Sequence, residues 1–152
     1  MWLILALLSA FTAALVALFG KIGLKGVDST LATALRSIIM AAFMVVAAIS
    51  LGKFKGFTLH SLDTKAWTFI ALAGVAGALS WLFYFSAIKL GNVSAVAAID
   101  RLSIVFVVVL AAIILGEAFT KYTAIGSVLV VIGALLIAFD SKVVTWVTSL
   151  FG

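Results

Sequence analysis

Five long apolar runs divide the chain, with short polar stretches between them. A helix that crosses a bilayer needs about 20 mostly apolar residues. The pattern predicts such helices over residues 2–20, 29–51, 65–90, 93–115 and 121–139. Start and stop signals agree with these limits. Asp28 precedes the second run as an N-cap and Gly52 ends it. Asp63 or Thr64 caps the third run and Gly91 stops it, while Asn92 and Thr120 cap the fourth and fifth. The connections are short, so successive helices are antiparallel neighbours. The longest, residues 52–64, carries Lys53, Lys55, His60 and Asp63 and reads as a solvated loop. The tail, residues 141–152, either lies flat in the membrane interface or frays. The fold class is therefore all-α: a polytopic membrane bundle of five transmembrane helices, one domain over residues 1–140.

The first run, MWLILALLSAFTAALVALFG, resembles a secretion signal at first sight. It lacks a basic leading segment and is long enough to span, so it reads as a retained helix.

Composition enforces the membrane reading. Hydrophobic residues make up 66% of the chain and charged residues 10%, against about 45–50% and about 25% in ordinary globular chains. Lipid accepts apolar surface that water would not. The net charge is +5. Most lysines fall between the apolar runs, where they anchor helices at headgroups. No basic stripe with interleaved aromatics is present, so nucleic acid is not an expected partner. With no Cys and the single His60, the chain offers no metal cluster and implies no cofactor. It also has no phosphate loop, no Ser/His/Asp arrangement and no paired acids, so an enzyme is not expected. The expected location is a prokaryotic cytoplasmic (inner) membrane. Proline is absent altogether.

An odd number of spans puts the chain ends on opposite sides. One side then holds Lys53, Lys55, Lys65 and Lys121, and the other holds Lys21, Lys25, Lys89 and Lys142. Orientation follows an imbalance of Lys and Arg, and the lysines supply none. Two readings follow: the chain inserts both ways and pairs as an antiparallel homodimer, or Arg36 and Arg101 tip it to one orientation.

Three charges lie deep inside spans, away from their ends. Arg36 is seven residues into the second, ~10 Å deep at the helical rise, and Asp100 and Arg101 are ~12–13 Å deep in the fourth. Both helices start on the same side, so the three share a depth. A charge at depth costs about 2.5–3.5 kcal/mol on insertion scales and needs a partner or a wet cavity. Neighbouring helical residues point about 100° apart, so Asp100 turns away from Arg101 and meets Arg36 as an ion pair. Arg101 faces a cavity, a second subunit or the headgroups. Two cations against one anion suit an anionic or carboxylate-bearing substrate group. The plainer alternative is that all three are structural, with Arg101 snorkelling to the interface.

The third run contains SWLFYF. Trp81 lies ~13 Å from the same side, and Trp81 and Tyr84, three apart, line one wall that stacks on a ring or holds a cation. Lipid-facing packing aromatics are the alternative. Gly74 and Gly77 belong to small-residue pairs on this helix, and Gly126 and Gly133 share nearly one face of the last; these mark packing seams, the latter a candidate dimer contact. Glu117 stands four residues before Lys121, a surface helical pair or, less simply, a proton-coupling acid.

The segments KIGLKGVDSTLATALRS, GALSWLFYFSAIKLGNVSAVAAIDRLSIVFVVVLAAIILGEAFT and GALLIAF resemble the five-helix EamA-type members of the drug/metabolite transporter superfamily. The likeness covers roughly residues 1–140. It implies a small-solute transporter. Larger relatives join two such units in inverted orientation around a substrate cavity, which agrees with the balanced lysines. Arg36 matches the arginine of the family's LATALR pattern, and Asp100 and Arg101 its PID-K region. Two departures stand out. Family patterns place a proline where Ser29 and Ala98 stand, and with alanine at position 98 the usual cause of a break beside Asp100 is missing. The first helix carries no carboxylate, so the proton exchange of smaller four-helix relatives does not transfer.

Two functions compete. One is a transporter of amino acids, small organic anions or aromatic metabolites, working as a dimer by alternating access. Its cavity would be lined by Arg36, Trp81, Tyr84, Asp100 and Arg101. The other is a non-transporting assembly subunit or an idealised membrane scaffold, suggested by the absent prolines and a first helix whose only polar groups are Ser9 and Thr12.

Overall fold

A computed structural model describes residues 1–58 and 62–140. His60, Lys142 and the tail over residues 141–152 lie outside the described residues. All described secondary structure is helical, and five segments are long and apolar enough to cross a membrane. They are α1 (Trp2–Gly23), α2 (Ser29–Ser50), α3 (Thr64–Leu90), a divided segment over Val93–Leu115, and α6 (Lys121–Ala138). The expected all-α membrane fold is thus present. The first helix runs one turn further than its apolar pattern, carrying Lys21 inside it.

The caps explain most limits. Asp28 accepts the backbone N–H groups of Thr30 (2.9 Å) and Leu31 (3.0 Å), satisfying two donors that the first turn of α2 leaves free. At the other end Gly52 takes φ 65°, which only glycine adopts at low cost. Its N–H donates to Ile49 O and that of Lys53 to Ala48 O, a paired closure of the helix. Asp63, rather than Thr64, caps α3 by accepting from Ala66 N at 2.7 Å. Thr120 Oγ1 accepts from Thr123 N at 3.2 Å and starts α6. Asn92 departs from expectation: its backbone is extended before the fourth span, but its side chain makes no capping bond.

The fourth span is not one continuous α-helix. It consists of α4 (Val93–Asp100), α5 (Ser103–Leu110) and a π-helical turn (Ala111–Leu115). At the junction Arg101 has φ −65°, ψ −13° and Leu102 φ −62°, ψ −17°. Bonding there tightens to the three-residue spacing of a 3₁₀ turn, with Leu102 N to Ile99 O at 2.9 Å and Ile104 N to Arg101 O at 3.1 Å. The break beside Asp100 therefore forms without proline. The β-branched residues that follow, Ile104, Val105 and Val107 to Val109, lose side-chain freedom in a helix and hold α geometry weakly. Gly116, at φ 69°, closes the π turn. Glu117 then lies in the non-helical segment 116–120, so the helical pairing expected with Lys121 has no helix to support it.

The chain divides into two compact units. One is Leu18–Lys89, with the end of α1, then α2 and α3. Leu24, Thr33, Phe85 and Ile88 are buried in it. The other joins Met1–Ala17 to Leu90–Gly152, and within it α6 lies along α4 and touches α5. The buried positions on α4 and α6 are both alanines, Ala98 and Ala134, which allow close helix approach. Elsewhere large apolar side chains face outward; Phe43 is 70% and Ile39 69% exposed. Such a surface is stable in hydrocarbon.

Candidate functional site

The unit Leu18–Lys89 collects several of the residues singled out in the sequence. Arg36 sits two turns into α2. On α3, Trp81 and Phe85 are one turn apart and so share a face. Their rings stack with centroids 5.6 Å apart and planes at 21°. Tyr84 meets both edge-on, at 5.7 Å from Trp81 and 5.7 Å from Phe85. These offset and perpendicular geometries are the ones ring quadrupoles favour. The guanidinium carbon of Arg36 stands 4.0 Å from the Trp81 centroid and 4.6 Å from that of Phe85. The cation of Arg36 thus lies against Trp81 and Phe85.

Phe85 is the residue that the sequence reading left out of the site. It is 3% exposed. Its spacing of four from Trp81 was the available signal. Gly20 on α1 explains the close fit beneath it, because a Cβ there would overlap Cε1 of the Phe85 ring.

The end of α3 is tied down by two lysines. Lys21 donates to Ile88 O at 2.6 Å, and Lys89 donates to Val27 O at 2.8 Å. The first satisfies one of the carbonyls that a helix C-terminus leaves open. Ser29 and Ser86 hydroxyls also meet at 3.4 Å. These bonds join the end of α1 and the α1–α2 turn to α3.

Burying a cation in a span costs about 2.5–3.5 kcal/mol on insertion scales. A desolvated cation–π contact returns about 2 kcal/mol. The balance is open on the donor side: Arg36 Nε and Nη2 are buried and have no hydrogen-bond partner among the described residues. The nearby hydroxyls are spent on their own helix, Thr33 Oγ1 donating to Ser29 O at 2.7 Å and Ser37 Oγ to Thr33 O at 2.8 Å.

Asp100 and Arg101 belong to the other unit. Asp100 ends α4 half-buried, and Arg101 is exposed at the 3₁₀ turn. The four glycines expected at seams, Gly74, Gly77, Gly126 and Gly133, each face open space where a Cβ would stand. Among the described residues, no three His, Cys, Asp or Glu side chains come together as a metal site.

An ionisable side chain inside a span marks a candidate functional site in a helical membrane protein. Residues 1–139 match the EamA-like transporter family, and the chain belongs to that family. It is also 39% identical over 137 residues to a Sinorhizobium protein described as an uncharacterized transporter in the cobO 3′ region, covering 90% of this chain and 96% of that one. No solved structure matches.

Proposed function

We propose that the chain moves a small solute across the membrane as a homodimer of inverted copies, alternating access to a cavity around Arg36. Arg36 carries the reading: a cation two turns inside a span, braced by Trp81 and Phe85 and with two buried donors unmet, is costly unless it serves a passing ligand. Membership of the transporter family and the name of the Sinorhizobium relative support transport. That relative's bacterial source supports a prokaryotic cytoplasmic (inner) membrane.

The finer parts rest on the sequence. Four lysines on each side support dual insertion and antiparallel pairing. The open faces at Gly126 and Gly133 give α6 room for a second copy. Asp100, level with Arg36 by residue count, is a second candidate polar group on the path. Arg101 adds a second cation, and Tyr84 completes the wall. The substrate is an amino acid, a small organic anion or an aromatic metabolite.

Flux into proteoliposomes tests this. A panel of these three solute classes is offered under an imposed pH gradient, with Asp100→Asn alongside. Uptake of a panel member that falls in the variant is the expected result. Flux unchanged in Asp100→Asn removes that carboxylate from the mechanism, and no flux with any solute overturns the transporter reading. C-terminal reporter fusions active on one side only would end dual insertion.

A further inference from the structure

We propose that the Nε–Nη2 edge of Arg36 is the docking point for a carboxylate on the transported solute; this rests on the transporter reading and narrows it to one ligand chemistry. A guanidinium is planar, so its faces and edges do different work. Trp81 and Phe85 engage the cation through their rings, at 4.0 and 4.6 Å from its central carbon. Such contacts use no N–H. The two donors left buried without acceptors are Nε and Nη2. They lie on the same edge of the group, with their N–H bonds parallel. That fork matches the two oxygens of a carboxylate and gives two charge-assisted bonds at once.

The surroundings select among anions. Thr33 and Ser37 donate to backbone carbonyls of α2, so they bring no further donors to a third oxygen. A phosphate dianion would also carry twice the charge one guanidinium neutralises, which is expensive where water is scarce. A monoanionic, planar, two-oxygen group fits one cation with one free edge. Cationic solutes are repelled. A neutral amide offers one oxygen and turns a donor toward donors.

Calorimetry on the wild-type protein in nanodiscs tests this, with benzoate against benzamide and acetate against acetamide. The expected result is saturable binding of at least one carboxylate, with its amide about tenfold weaker or more, the cost of roughly 1.4 kcal/mol in lost pairing. Arg36→Lys keeps the charge and loses the fork; its carboxylate affinity falls by a similar factor while its melting temperature stays close to wild type. The wild-type comparison stands even where that variant fails to fold. Amides binding as well as carboxylates, full affinity in Arg36→Lys, or no binding of either carboxylate overturns the proposal. Carboxylate binding seen in Asp100→Asn alone also overturns it, by reserving the edge for the protein's own acid. Failure is separable from that of the transporter reading: flux of neutral solutes without preference for carboxylates sinks only this inference, and carboxylate binding without flux sinks only transport.

Discussion

The guanidinium carbon of Arg36 lies 4.0 Å from the centroid of the Trp81 ring, a cation and an aromatic face meeting inside a membrane span. Trp81→Leu removes the cation–π contact, about 2 kcal/mol when desolvated, and the ring pairs with Tyr84 and Phe85, about 0.5–1.5 kcal/mol. A stability loss of roughly 2–4 kcal/mol is expected from thermal unfolding in detergent. Arg36→Met behaves oppositely. It removes an insertion cost of about 2.5–3.5 kcal/mol and forgoes about 2, so stability holds or rises by about 1 kcal/mol. In the Arg36→Met background Trp81→Leu costs about 2 kcal/mol less, the coupling a double-mutant cycle isolates. Equal costs in both backgrounds would mean the contact contributes nothing.

Gly20 gives the second prediction. Alanine in a helix interior is favoured over glycine by about 1 kcal/mol, so Gly20→Ala would stabilise α1 in open space. Here the added methyl overlaps the Phe85 ring, and overpacking of this kind costs about 1–3 kcal/mol. Gly20→Ala is therefore expected to lower the melting temperature, and Phe85→Leu in the same chain to recover part of the loss. Gly77→Ala, where nothing lies within 4 Å, serves as the control and leaves the folded chain intact. A Gly20→Ala protein as stable as wild type would contradict the close approach.

Some of this was readable from residue order alone. Twenty-residue apolar runs and their caps set the five spans to within a few residues, because bilayer thickness constrains length strongly. Counting along each helix also put Arg36 and Trp81 at one elevation. It could not give azimuth: the same count matched Arg36 to Asp100 and to the SWLFYF wall alike. Phe85 escaped for that reason, since one sequence does not say which face of α3 turns inward. The division of the fourth span was illegible for another. Neither proline nor glycine marks Arg101 and Leu102, where the 3₁₀ turn falls, so residue type carried no signal for it.

The two lysines at the end of α3 are expected to differ. Lys21 reaches a part-buried carbonyl of Ile88, whereas the Lys89 bond to Val27 O is exposed. A bond from a charged donor to a buried acceptor is worth about 1.5–3 kcal/mol, and its loss strands the carbonyl. Water replaces an exposed one. Lys21→Met should therefore destabilise by roughly 1–3 kcal/mol and loosen the Trp81 environment, visible as a shift in tryptophan emission. Lys89→Met should leave both nearly unchanged. Equal effects would show that the Lys21 bond is as wet as the other.

Asp28 sets the pH dependence. Its carboxyl sits below the ordinary value of 3.8, chiefly because the Leu31 N–H donates to it, with the Thr30 N–H and the nearby Lys89 charge adding to the effect against a smaller opposing cost of burial. A carboxyl held lower in the folded chain than in the unfolded one stabilises the fold in its charged form. That contribution is complete above the unfolded value and disappears as pH falls below 3.8 through the depressed folded value. Asp28→Ala removes the cap at every pH. The melting temperatures of wild type and variant should thus be separated at neutral pH, keep that gap down to about pH 4, and converge only in stronger acid. A constant gap throughout would mean the protonated side chain caps α2 as well as the anion does. A gap closing near neutral pH would place the titration on some other group.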